Sequence, residues 1–251
     1  MKRDRPTFPK ILLMHYSKLV SRGALFLMAL AAYLANRIGG VEIPWIFPAA
    51  LWAIFAIALL LRFFPSSLES MGCQKPFARN YLPKEGDALP TQSSWRSTAA
   101  VAAAWLLLNG VIGALYFLGV IDRGILILIS LAYSVCDIIC ILFFCPFQTW
   151  FMKNRCCTTC RIYNWDFPMM FTPLVFIPSV YTYTLVGGSL LLLLRWELAL
   201  RRHPERFSPE TNASLDCANC KEKLCRHKKQ LRSFLKKRMN EEKRKNKKYL
   251  Y

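Results

Sequence analysis

Residues 97–147, STAAVAAAWLLLNGVIGALYFLGVIDRGILILISLAYSVCDIICILFFCPF, decide the fold class. Two apolar runs, 97–121 and 125–147, flank the polar turn Ile121-Asp122-Arg123-Gly124. A helix needs about 20 apolar residues to cross a hydrocarbon core about 30 Å thick. Because a bilayer offers no water to the backbone, the two runs predict a hairpin of membrane-spanning helices.

Three further apolar runs complete this pattern. Runs 17–36 and 43–64 flank a short turn and predict a second helical hairpin, whereas run 168–194 contains Pro173 and Pro178 and predicts a broken or kinked segment. Hydrophobic residues make up 54% of the 251-residue chain and lie in blocks, which is typical of membrane proteins. We therefore expect an all-α, polytopic membrane domain over residues 1–200 and a basic, cysteine-containing tail over residues 201–251.

The distribution of Lys and Arg predicts the orientation, because cytoplasmic segments carry an excess of both. If the fifth segment enters the membrane and returns on the same side, only Arg37 and Arg123 of the 34 Lys and Arg residues lie opposite. A single kinked span, or a first segment lying on the membrane surface, gives a weaker asymmetry, and these arrangements stay open. The returning form predicts a multi-pass cell-membrane protein with a cytoplasmic N-terminus and tail.

Three of the ten cysteines and one histidine lie together in the tail sequence LDCANCKEKLCRH, residues 215–227. The spacing Cys217-x2-Cys220 lets two thiolates turn onto one ion, and Cys225 and His227 complete a Cys3His set. Such ligands bind zinc or an iron–sulfur cluster. The alternative is a reduced cysteine cluster that holds no metal.

The loop sequence RCCTTCRIYNWD, residues 155–166, carries a second group of thiols. Cys157-x2-Cys160 has the spacing of a ligand pair, with Cys145 and Cys156 as further ligands. Basic neighbours lower thiol pKa values, so the same thiols also fit a redox site that exchanges disulfides. A site shared with the tail requires both loops to lie on one side of the membrane.

Asp137 lies inside the apolar run 125–147, where a charge is costly and indicates a function or an ion pair. Together with the broken fifth segment, it predicts a small transporter or channel as an alternative function. The basic, amphipathic stretch 224–239 predicts binding to anionic lipid head groups or to an acidic partner, with nucleic acid as a weaker alternative.

The leading prediction is therefore an integral membrane protein with a cytoplasmic, thiolate-rich metal-binding or redox module. The sequence has no phosphate-binding loop, no zinc-protease motif and no serine-hydrolase elbow. No set of residues identifies a reaction.

Overall fold

A computed structural model of the chain describes residues 10–66, 69–85, 88–91, 94–154, 156–220, 222–231 and 233–234. The secondary structure of these residues is helical, without a β-strand, as the apolar blocks predict. The α-helices up to residue 202 are α1 (Lys10–Gly39), α2 (Ile46–Leu61), α3 (Met71–Gln74), α4 (Trp95–Phe117), α5 (Arg123–Leu142), α6 (Asp166–Phe171) and α7 (Val180–Arg202). Residues 224–231 form a further helix, here called the tail helix.

Four of these helices, α1, α4, α5 and α7, are long and apolar enough to cross a membrane. Helix α2 is equally apolar but has 16 residues. At 1.5 Å per residue it measures about 24 Å, which is shorter than a hydrocarbon core of about 30 Å.

Helix α1 begins at Lys10, well before the predicted start at residue 17. The polar side chains of its first half have partners elsewhere in the chain: Lys18 pairs with Glu69 at 2.8 Å and Arg22 with Asp137 at 2.9 Å. A helix can therefore continue through this polar stretch, which the apolar pattern alone did not indicate.

The bounds of the other predicted segments shift for local reasons. Helix α2 begins at Ile46 rather than at residue 43, after Pro44, and ends at Leu61. Helix α4 starts two residues before position 97 and ends at Phe117, where Gly119 takes a positive φ of 75°. Helix α5 ends at Leu142 rather than at residue 147. In a continued helix Pro146 would have no N–H for the Leu142 carbonyl, and its ring would clash with that carbonyl.

The fifth predicted segment, 168–194, is broken. Helix α6 passes into a 3-10 helix, Thr172–Phe176, and the chain is extended at Ile177 and Ser179 before α7 begins. Pro178 lies between these two residues and has no N–H to continue a helix. Helix α7 then runs eight residues beyond the predicted end, to Arg202, and buries Trp196 and Leu200.

Both legs of this broken segment return to one end of the bundle. At the start of α6, Asp166 accepts a hydrogen bond from Arg62, directly after α2. Near the end of α7, Arg195 donates to the carbonyl of Phe63. Between the two legs of the segment, the Phe176 ring lies against Gly113 of α4. A side chain at position 113 would clash with this ring.

A layer of loops covers that end of the bundle. We call it the cap layer: the described residues of 69–85, 145–165 and 203–231. Its parts are joined by backbone hydrogen bonds from Lys84 to Thr211 and from Ala213 to Leu82, 3.1 and 2.8 Å long. The described part of the predicted tail therefore packs on the loop between α2 and α4. It also packs on the described residues of 145–165, here called the thiol loop.

Candidate functional site

The thiol loop is held in a defined shape by polar side chains. The π-helical turn Phe147–Phe151 places Gln148 so that its amide donates to the Asn154 carbonyl at 3.0 Å. The Asn154 side chain accepts a hydrogen bond from the Cys156 N–H at 3.1 Å, and the N–H of Cys160 donates to the Cys157 carbonyl at 3.0 Å. The thiols of Cys156, Cys157 and Cys160 therefore belong to one ordered turn.

The structure brings Cys156 of the thiol loop against Cys225 of the tail helix. Hydrogen bonding between the Cys225 thiol and the Cys156 sulfur is the main cause that lowers the pKa of Cys156. Thr158 lies 2.9 Å from the same sulfur through its hydroxyl. The same contact raises the pKa of Cys225.

Cys157 faces a different partner on the tail helix. Its buried sulfur lies 3.0 Å from the Lys228 ammonium nitrogen and donates to the Gln148 side chain at 3.1 Å. Lys228 also donates to the Cys140 carbonyl at 3.0 Å, which ties the tail helix to the end of α5. Burial nevertheless raises the pKa of Cys157, because desolvation outweighs the nearby charge.

A second thiol pair lies where α5 ends. The Cys145 sulfur accepts a hydrogen bond from the Gln148 N–H at 3.4 Å. Hydrogen bonding with the neighbouring Cys140 thiol is the main cause that lowers the pKa of Cys145. No disulfide joins any of the ten cysteines, all of which lie within the described ranges.

Cys160 is buried in the cap layer beside a buried lysine. Lys75 donates to the Cys160 carbonyl at 3.0 Å and lies 5.1 and 5.6 Å from the ring centroids of Trp196 and Phe207. Burial lowers the pKa of Lys75 to about 8 and raises that of Cys160 to about 11. Cys160 is thus a neutral thiol in the packed interior.

The remaining predicted ligands in the tail have separate environments. Cys217 is exposed, and the Cys220 sulfur accepts a hydrogen bond from the Lys223 N–H at 3.4 Å. The His227 ring lies 2.9 Å from the Tyr16 hydroxyl of α1. Within the described ranges, no three His, Cys, Asp or Glu side chains converge closely enough to hold a metal ion. The Cys3His assignment stays a prediction.

Parts of the predicted thiol segments and of the predicted amphipathic stretch lie outside the residues that the structure describes. They are Arg155, Lys221, Arg232 and 235–251, so the far part of the predicted amphipathic stretch is among them.

Asp137 is paired. Its carboxylate lies 2.9 Å from the Arg22 guanidinium, which also donates to the Ser134 carbonyl at 2.8 Å. A second ion pair, Arg62 with Asp166 at 2.9 Å, lies deeper in the same end of the bundle. The arrangement fits the ion-pair explanation of Asp137 that its sequence context allows.

Two cavities adjoin the thiols. An apolar cavity of about 260 Å³ lies between α4, α5 and the thiol loop, with Cys140, Cys145, Cys157 and Cys160 in its wall. The second cavity, of about 490 Å³, is here called the lysine pocket. Its wall includes Lys153, Lys228, Lys229, Cys145 and Cys225.

The sequence indicated the thiols, and Lys228 as a basic neighbour of the tail cysteines, but not that Gln148 and Lys228 contact Cys157 of the thiol loop. Gln148 links the two thiol groups, and its role depends on the turn after Pro146. Lys228 follows Cys225 by three positions, a spacing that places both on one face of a helix. That spacing was the one available signal, and the partners of both residues lie far away in the chain.

Comparison of the chain with family models, with curated proteins and with solved structures gave no match. The functional argument therefore rests on the geometry of the chain itself.

Proposed function

We propose that this protein is a membrane-anchored thiol–disulfide exchange module, with Cys156 as the nucleophile and Cys225 as the resolving thiol. The observations that support the proposal are that Cys225 lies next to Cys156 and that the Thr158 hydroxyl lies 2.9 Å from the Cys156 sulfur, contacts that lower the pKa of Cys156. A thiolate is the reactive form of cysteine, and a second thiol in contact with it can resolve the mixed disulfide.

The exchange balances without any further reactant. The Cys156 thiolate attacks a substrate disulfide, forms a mixed disulfide and releases one substrate thiol. Cys225, once deprotonated, attacks the Cys156 sulfur, forms the internal disulfide and releases the second substrate thiol. The substrate disulfide is reduced to two thiols, and the protein dithiol is oxidised to a disulfide. One released thiolate takes up the proton that Cys225 loses, and the other takes up the proton that Cys156 gave to solvent when its thiolate formed.

We further propose that the cap layer faces the cytoplasm of a cell-membrane protein. The Lys and Arg asymmetry of the sequence supports this orientation. Contact between the thiol loop and the tail helix requires both to lie on the same side, which agrees with a returning fifth segment. In the reducing cytoplasm the resting state of the pair is the dithiol.

The test is a trapping experiment on the purified full chain in neutral detergent, with hydroxyethyl disulfide as the probe. In the wild type we expect an internal disulfide between Cys156 and Cys225, mapped by mass spectrometry of peptides. Cys225→Ser should instead accumulate a mixed disulfide at Cys156. Cys73→Ser, a buried cysteine away from this pair, serves as the matched control and should behave like the wild type.

Two outcomes would contradict the proposal. One is a Cys156→Ser variant that consumes the probe as fast as the wild type. The other is labelling spread evenly over the exposed cysteines, which would show that the pair has no special reactivity.

Metal binding by Cys217, Cys220, Cys225 and His227, with Cys157 and Cys160, is a separate proposal that rests on ligand spacing. Elemental analysis of protein purified without oxygen distinguishes the two. Stoichiometric zinc or iron that is lost in Cys217→Ser but kept in Cys156→Ser would support the metal site. The exchange proposal expects Cys217→Ser to keep full reactivity at Cys156.

A further inference from the structure

The lysine pocket carries an unbalanced positive charge. Lys153, Lys228 and Lys229 line it, and no carboxylate among the described residues does. Lys153 and Lys229 are exposed and make no ion pair within the described part of the chain. Three like charges around one cavity repel one another, and a bound anion removes that repulsion.

The pocket reaches one member of the reactive pair. Cys225 forms part of its wall and lies next to Cys156, which is outside the lining. Lys228 is fixed by its contacts with the Cys157 sulfur and the Cys140 carbonyl, whereas Lys153 and Lys229 reach into the pocket from the thiol loop and from the tail helix. An anion held by the lysines would therefore lie beside the two thiols.

The size of the pocket limits what it can hold. About 490 Å³ is within the range of small-molecule sites, roughly 300–1,000 Å³. The pocket can accommodate a small disulfide or the end of a peptide, but not a folded domain.

We propose that the lysine pocket selects an anionic, low-molecular-weight disulfide, whose carboxylate or phosphate groups bind the lysines while its sulfur atoms lie next to Cys156 and Cys225. This inference rests on the proposed exchange function and names the substrate class for it. A lipid phosphate group shares the same anionic chemistry and is the competing occupant.

The test compares three disulfides that differ in charge. They are the dianion dithiobis(nitrobenzoate), the neutral hydroxyethyl disulfide and the dication cystamine. The measurement is the rate of internal disulfide formation between Cys156 and Cys225, followed by quenching and mass spectrometry. Because the probes differ in intrinsic reactivity, each rate is divided by the rate of the variant Lys153→Gln/Lys229→Gln with the same probe.

The wild type should exceed that variant on the order of tenfold with the dianion, since local positive potential raises the arrival rate of anions. It should equal the variant with the neutral probe and fall below it with the dication. At about 1 M salt the advantage with the dianion should largely disappear, because the Debye length shrinks to about 3 Å. Lys10→Gln, an exposed lysine outside the pocket, is the matched control and should leave all three rates unchanged.

Different results would contradict the anion-selective pocket and the exchange function. If no probe produces the internal disulfide, the exchange function is wrong. If all probes produce it and the double variant slows them equally, or not at all, the function stands and the anion-selective pocket is overturned.

A separate experiment tests whether a lipid phosphate occupies the lysine pocket. The same ratios are measured in nanodiscs of phosphatidylcholine alone and with added phosphatidylglycerol. Repulsion by the anionic surface slows wild type and variant alike, so it cancels in the ratio. An advantage with the dianion that persists in both membranes supports a soluble substrate. An advantage that is lost only with phosphatidylglycerol shows that a lipid phosphate fills the pocket, which overturns the proposal.

Discussion

Charged side chains inside the helical bundle are organised differently from those beside the thiol loop. In the bundle, Arg22 pairs with Asp137 and Arg62 with Asp166, each at 2.9 Å. In the lysine pocket, three lysines face one cavity, and no carboxylate of the described part of the chain lines it. A charge in an apolar environment is costly without an opposite charge beside it, whereas a charge near water is solvated and needs no protein partner. The bundle pairs therefore stabilise the fold, and the pocket lysines are available for binding.

The largest expected effect comes from breaking one bundle pair. Asp137→Ala leaves the Arg22 guanidinium without its carboxylate and should lower the free energy of unfolding by about 3–5 kcal/mol. Thermal unfolding in detergent measures this loss. The double variant Arg22→Met/Asp137→Leu removes both charges and should be less destabilised than either single variant. Arg37→Met, at an exposed arginine, is the control.

This experiment also tests the predicted transporter alternative. If Asp137 serves only as the partner of Arg22, the double variant keeps thiol exchange and no ion flux depends on it. A double variant that is stable but has lost an ion flux present in wild-type vesicles would instead assign Asp137 a transport function.

A middle effect is expected at Glu222, a buried acid between the two regions. One of its oxygens accepts hydrogen bonds from the Ser70 hydroxyl at 2.7 Å and the Met71 N–H at 2.6 Å, while the other has no partner within the described structure. Glu222→Ala should therefore cost about 1–3 kcal/mol through the unsatisfied donors. Glu222→Gln keeps the accepting oxygen and should cost less.

The pH dependence at Glu222 has a defined sign. Burial raises its pKa above the ordinary value of 4.5, so the folded chain holds this proton more tightly than the unfolded chain. Its contribution to stability should be greatest below that ordinary value and should decrease as the pH rises through the raised pKa. Glu222→Gln removes this slope. A thermal midpoint with the same pH profile in both proteins would contradict the assignment.

The smallest effect on stability is expected at the thiol pair itself. Cys156→Ser keeps a small polar side chain at a half-buried site, so it should change the free energy of unfolding by less than about 1 kcal/mol. The same variant should lose exchange with the disulfide probe. A large loss of thermal stability would show instead that the contact between Cys156 and Cys225 is structural.

Most helices of the bundle could be predicted from the sequence, but the residues at which some of them begin and end could not. The apolar runs and prolines indicated the helices and the break at Pro178, because length and missing N–H groups act locally. The start of α1 at Lys10 was missed, because Leu12 packs against Ile138 and Leu142 of α5, whose positions no local pattern specifies. The same limit applies to the site, where the contact between Cys157 and Lys228 joins residues 71 positions apart.

The sequence alone determined that this chain is helical, with runs long and apolar enough to cross a membrane, and that its thiols and basic residues are concentrated in two polar segments. These properties follow from composition and spacing, which act over one helix or one turn. Only the tertiary structure decided that Cys156 meets Cys225, that Asp137 meets Arg22, and that three lysines enclose one pocket. Such contacts depend on how the broken segment returns and how the tail packs, and local pattern does not determine either.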